Sequence, residues 1–112
     1  MREAERDSMR IEHMLKAVEK ISQFMEGKSL KDLENDELLF FAVVKNIEIF
    51  GEAAFMLTKE FKEKHNKIPW KPIEGMRHVL VHNYYSIDPK EVYKVYSENL
   101  PELLPQLLLL KN

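Results

Sequence analysis

The chain has 112 residues, no cysteine and a formal net charge of −2, with 45% hydrophobic and 32% charged residues. That length supports one domain with one core, and the missing cysteines exclude disulfides and thiolate metal sites and suit a reducing cytoplasm. No apolar run approaches the roughly 18 residues of a membrane span, no signal peptide opens the chain, and the net charge argues against a general nucleic-acid coat protein.

Asp7 or Ser8 is a candidate cap for a first helix. Ile11, Met14, Leu15, Val18, Ile21 and Met25 then recur at three- and four-residue steps, the mark of one buried stripe, and Gly27 ends it. His13 lies at the edge of that stripe, as a surface or boundary residue. Asn35 or Asp36 caps a second helix running from Leu38 to Phe61. It is apolar on most sides and so has to be covered on most sides. A domain of this size can hardly do that alone, so part of the helix is expected to meet a second copy of the chain. Lys45, Glu48 and Glu52 are polar exceptions at helical spacing. Gly51 costs helix stability, which is tolerable where another backbone approaches closely. Glu52 is read as a buried partner for an arginine such as Arg77, in preference to a simply exposed carboxylate.

Lys62 to Lys67 reads as a polar loop. Prolines are tolerated in the first turn of a helix, so a third helix opens near Pro69 to Pro72 and runs to between Ser86 and Pro89. Asp88-Pro89 is an N-cap followed by a first-turn proline. The helix it starts carries Val92, Val95 and Tyr96 on one side. Pro101 and Pro105 make an irregular start to a last helix with a stripe of Leu100, Leu103, Leu104, Leu107, Leu108 and Leu110, which closes the core. There are no repeats and no alternating strand pattern. The fold expected is all-α, an antiparallel up-and-down bundle of four to five helices forming a single domain over residues 1–112.

Charge is unevenly spread. Residues 59–82 carry six lysines and arginines against three glutamates, a balance of +3 that leaves −5 for the rest. Three of the four histidines lie in the same third. A local positive patch on an acidic body suits engagement of a polyanion at one place, and equally suits a solvated charged helix end.

Within that third, Arg77-His78-Val79-Leu80-Val81-His82-Asn83-Tyr84-Tyr85 gathers a fixed cation, two imidazoles and two phenols. Metal-free RNA cleavage uses the neighbouring 2′-hydroxyl as nucleophile and needs a base, an acid and a cation for the phosphate. Histidine fills either proton role near neutral pH, and arginine fits phosphate oxygens bidentately. Arg77 and His82 stand about 140° apart around a helix, so one helix does not aim both at one atom. A two-fold dimer with both residues of each copy in a shared cleft overcomes this. His78 and His82, four apart, are also spaced to reach one metal ion, although a third ligand would have to come from elsewhere. The plain alternative is that both histidines are helix-surface groups and the tyrosines bundle edge.

Arg77, four intervening residues, His82, Asn83 and Tyr84 reproduce the Arg-x4-His-x-Tyr motif, and in this the chain resembles HEPN-domain toxins of the HepT type. Ile47-Glu48-Ile49-Phe50-Gly51-Glu52-Ala53-Ala54, Ile68-Pro69-Trp70, Gly75-Met76-Arg77 and Leu100-Pro101-Glu102-Leu103 also match that family's pattern, so the likeness covers nearly the whole chain. The resemblance implies a helical homodimer and a metal-independent endoribonuclease toxin of a type VII toxin–antitoxin system, with its site at the subunit interface and no cofactor. It implies Arg77 and His82 as the catalytic pair, with His78, Asn83 and Glu52 as supporting or RNA-binding residues. It further implies a cytoplasmic location and a partner, a minimal nucleotidyltransferase antitoxin of the MntA type, which attaches AMP to the motif tyrosine, here Tyr84. Phosphates added beside Arg77 place competing negative charge and bulk where an RNA phosphate binds. The family position after the arginine is often asparagine, where this chain has His78, and Lys45 stands where the family has arginine. The second function class is a non-catalytic HEPN-type subunit that binds a minimal nucleotidyltransferase.

Overall fold

The computed structural model describes residues 3–78 and 87–111. Its spine is the packing of α1 (Glu3–Met25) along α3 (Glu37–Phe55). Ile11, Met14, Val18, Ile21 and Met25 are all buried, so the stripe legible in the sequence is the face α1 turns to the core. Each such side chain removed from water contributes roughly 1.5–3 kcal/mol. Opposite them lie Val43, Val44, Ile47, Phe50 and Ala54 of α3.

Helix α1 is already under way at Glu3, so neither Asp7 nor Ser8 caps it. Asp7 is instead buried within the helix. Its carboxylate accepts hydrogen bonds from the backbone N–H of Thr58 at 2.9 Å and from the Thr58 hydroxyl at 2.7 Å. That hydroxyl accepts in turn from the N–H of Phe61 and so caps α4 (Lys59–Lys64). Two consequences depart from the expected boundaries. Helix α3 stops at Phe55 rather than Phe61, and Lys62 to Lys64 form the end of α4 rather than a loop. A capping threonine tied to a buried carboxylate 51 residues away leaves no periodic trace in the sequence.

Gly27, at φ +72°, takes the left-handed conformation just past α1, as its position predicts. Next comes α2 (Leu30–Asn35), a short helix absent from the expected set. It opens on a capping box. The Ser29 hydroxyl accepts from the Asp32 N–H at 3.2 Å, and the Asp32 carboxylate accepts from the Ser29 N–H at 2.8 Å. With Leu33 its one buried residue, α2 is too short to show an amphipathic period. Asp36, one of the two candidate caps for α3, receives the Leu39 N–H at 3.1 Å.

Helix α5 (Trp70–Gly75) begins directly after Pro69, with Pro72 in its first turn where a missing N–H costs little. It buries Trp70 and Ile73, and the Trp70 indole N–H donates to the His65 carbonyl at 3.0 Å. The backbone then tightens into a 3₁₀ turn, Met76–His78. The continuation of this helix expected through 79–86 lies outside the described residues, and His82, Asn83 and Tyr84 lie there with it.

Asp88 caps α6 (Pro89–Lys94) with a proline in its first turn, as the sequence indicates. A π-type turn, Val95–Asn99, joins α6 to α7 (Leu100–Leu108), the Leu100 N–H reaching back to the Val95 carbonyl. The widened turn gives the Pro101 ring room against the preceding carbonyls. Leu100, Leu103 and Leu107 close the core, while Leu108 stays half exposed. Among the described residues there is no strand, and no helix is long and apolar enough to cross a membrane. The architecture is the all-α bundle expected.

Candidate active site around Arg77

Three elements converge on Arg77. Glycine at position 51 lets α3 and the chain after α5 touch backbone to backbone. A Cβ there would stand 2.5 Å from the Arg77 nitrogen and 2.9 Å from the Ile73 carbonyl oxygen. The mid-helix glycine therefore has the close backbone neighbour that its presence suggested. One turn further along α3, on the same side, is Phe55. The guanidinium carbon of Arg77 lies 3.5 Å from the centroid of its ring.

Helix α4 supplies the third element. The Lys62 ammonium lies 6.0 Å from the same ring and pairs with the Glu74 carboxylate at 2.9 Å, in a partly buried contact. Glu74 is the acidic residue nearest in sequence to Arg77, and Lys62 takes up its charge. The ion pairs among the described residues join Lys45 to Glu48, Lys59 to Glu63 and Lys62 to Glu74, and leave Arg77 out. The Nε of Arg77 is buried with no hydrogen-bond partner.

Glu52 is not the partner of Arg77. It is exposed and faces a groove of about 310 Å³ between α1 and α3, with Arg10, His13, Lys45, Glu48 and Met56. The reason is rotational: Gly51 occupies the direction toward Arg77, and the next residue points about 100° away. His13 is exposed, as read. His78 ends the 3₁₀ turn as an exposed residue beside Arg77. Among the described residues no cluster of three or more His, Asp or Glu side chains has metal-binding geometry.

Phe55 and Lys62 are the contributors that sequence reading missed. Phe55 had a usable signal, since it lies four residues after Gly51 and shares its face. Lys62 and Glu74 stand 12 apart on different helices, and no local pattern announces that pair.

The all-α bundle, with Arg77 set just after a short proline-started helix, is HEPN-like. The profile described as "Ribonuclease HepT-like" matches residues 14–109, and the chain belongs to that family. It is 39% identical over 97 residues to "Putative RNase TTE0752" of Caldanaerobacter subterraneus subsp. tengcongensis, covering 87% of each chain. It is 33% identical over 93 residues to "Probable ribonuclease HepT" of Thermococcus cleftensis, covering 83% of this chain and 84% of that one. "Gamma-glutamylcyclotransferase and putative RNase MJ0434" of Methanocaldococcus jannaschii is 35% identical over 98 residues, 88% of this chain but 44% of that longer protein. No solved structure matches the chain.

Proposed function

We propose that this chain is a metal-independent endoribonuclease toxin acting in the cytoplasm as a single-domain protomer of a homodimer. The observation that carries the proposal is the state of Arg77: stacked on Phe55, outside every described ion pair, with the nearby Glu74 neutralised by Lys62. Such a guanidinium is suited to a phosphate, whose oxygens match its forked donors. His82 takes the 2′-hydroxyl proton or supplies one to the leaving 5′-oxygen. His78 and Asn83 contact the RNA beside them. Membership of the HepT-like family and the ribonuclease names of its relatives support this assignment.

The dimer is supported by the outward face of α3. Leu38, Ile49 and Met56 are 81%, 39% and 48% exposed. At about 100° per residue they fall within about 20° of one another. Lys45 lies on the same line, and Glu52 beside it. A stripe of apolar residues interleaved with both signs of charge is self-complementary under a two-fold axis. Glu52 then supports the site from the interface rather than through Arg77. Neutralisation follows when a minimal nucleotidyltransferase transfers AMP from ATP to the Tyr84 phenol, releasing pyrophosphate.

The test is cleavage of total cellular RNA in EDTA by the parent protein, Arg77→Ala and His82→Ala. Cleavage by the parent alone is the expected result. Equal cleavage by all three removes the catalytic pair. No cleavage by a folded parent dimer free of AMP favours a binding subunit for the nucleotidyltransferase.

A further inference from the structure

We infer that Phe55 is a positioning residue for Arg77, setting the plane in which the guanidinium meets a phosphate; the inference rests on the ribonuclease reading above. Helix α3 acts on Arg77 at two points one turn apart. Gly51 admits the backbone, and Phe55 receives the side chain. Two facts say that, among the described residues, the ring and not a hydrogen bond or ion pair fixes the group. The Arg77 Nε is buried without a partner, and no ion pair among the described residues reaches the guanidinium. Its 3.5 Å contact with the ring is close-packed and well inside the roughly 6 Å reach of a cation–π attraction. Lys62 stands at the limit of that reach, and its ammonium is held by Glu74.

Phe55 is also poorly explained as a core residue. It is 42% exposed at the last position of α3, where a smaller or polar side chain would leave the packed interior intact. Stacking and phosphate binding use different parts of the guanidinium. The ring engages its face, whereas phosphate oxygens approach its N–H donors in the plane. Phe55 therefore orients Arg77 without consuming the donors that the substrate needs. An arginine freed from the ring would retain its charge and lose the preset plane, which lowers the rate of the bound substrate more than its binding.

Phe55→Leu removes the ring and keeps an apolar side chain, and Phe55→Tyr restores the ring. With total cellular RNA in EDTA, Phe55→Leu is expected to cleave about tenfold more slowly at an unchanged melting temperature, and Phe55→Tyr close to the parental rate. A second measurement does not depend on activity. The Arg77 Nε–H and δ-methylene proton resonances should be displaced by the ring current in the parent and in Phe55→Tyr, and return to ordinary positions in Phe55→Leu. Parental cleavage by Phe55→Leu while Arg77→Ala is inactive overturns the positioning role and leaves the ribonuclease reading standing. Parental cleavage by Arg77→Ala overturns the ribonuclease reading, and the resonances then decide alone whether Phe55 places the arginine. Ordinary Arg77 resonances in the parent overturn the inference outright.

Discussion

A Cβ on Gly51 would stand 2.5 Å from the backbone nitrogen of Arg77. The neighbouring atoms on that side are backbone, including the Ile73 carbonyl oxygen at 2.9 Å, so none can swing aside as a side chain would. Gly51→Ala therefore sets two effects against each other. Alanine improves helix propensity by about 1 kcal/mol. Overpacking a rigid contact costs typically about 1–3 kcal/mol. The contact wins, because the helix, the α5 backbone or both must shift. A lower melting temperature and slower RNA cleavage are expected, since the same shift moves Arg77 off Phe55. A Gly51→Ala protein that melts higher than the parent would show that the two backbones do not meet there.

How much of this was legible depends on the range of the interaction concerned. The face of α1 was readable because six apolar residues repeat along one continuous helix. The Asp88-Pro89 start and the Gly27 stop were readable because each signal acts within one turn. Gly51 was readable as a place of close approach, although not which backbone came near. Helix α2 escaped because a six-residue element has no period to detect. Glu52 stands out in the sequence as a polar exception on an apolar helix, yet it follows Gly51 directly, and the next residue on a helix faces elsewhere. The end of α3 depends on Asp7 bonding to Thr58 across 51 residues, and the neutralised Glu74 on a lysine in another helix. Contacts of that kind are set by the fold and cannot be read from local spacing.

The Asp7–Thr58 contact makes its own prediction. Asp7 is buried and accepts two hydrogen bonds from one threonine, whose hydroxyl also caps α4. Asp7→Ala strands the Thr58 N–H and is expected to cost about 1–3 kcal/mol. For a chain of this size that lowers the melting temperature by roughly 4–8 °C per kcal/mol. Thr58→Ala breaks the same contact from the other side, so the double variant should lose less than the sum of the two. Strict additivity in thermal or urea unfolding would mean that the two residues do not interact.

Asp32 supplies a pH dependence with a defined sign. Its carboxyl is held below the ordinary aspartate value chiefly by the backbone N–H of Ser29, then by the Ser29 hydroxyl. Because the charged form is favoured in the folded state, the stabilisation is complete above the unfolded value of about 3.9 and is lost as pH falls through the lower folded-state value. Asp32→Asn should therefore be less stable than the parent at neutral pH, with the two unfolding curves converging in acid. The group is fully exposed, so the difference is small and best read in paired urea titrations. A gap that persists unchanged to about pH 2 would remove Asp32 as its source.

The shared site is best tested by complementation. If α3 pairs two copies through Leu38, Ile49 and Met56, Ile49→Asp places a buried charge in that seam and should give a helical monomer by analytical ultracentrifugation, with RNA cleavage lost. Monomerisation alone does not say whether one copy lends its histidine to the arginine of the other. Mixing Arg77→Ala with His82→Ala does. In a dimer whose sites take Arg77 from one copy and His82 from the other, the mixed dimer has one intact site and one doubly defective site. Random reassortment makes about half the dimers mixed, so about a quarter of parental cleavage should return from two inactive proteins. If each site draws both residues from one copy, every site in every dimer lacks one of them and the mixture stays inactive. Recovery in the mixture, abolished when Ile49→Asp is added to both partners, would tie the α3 seam directly to the chemistry.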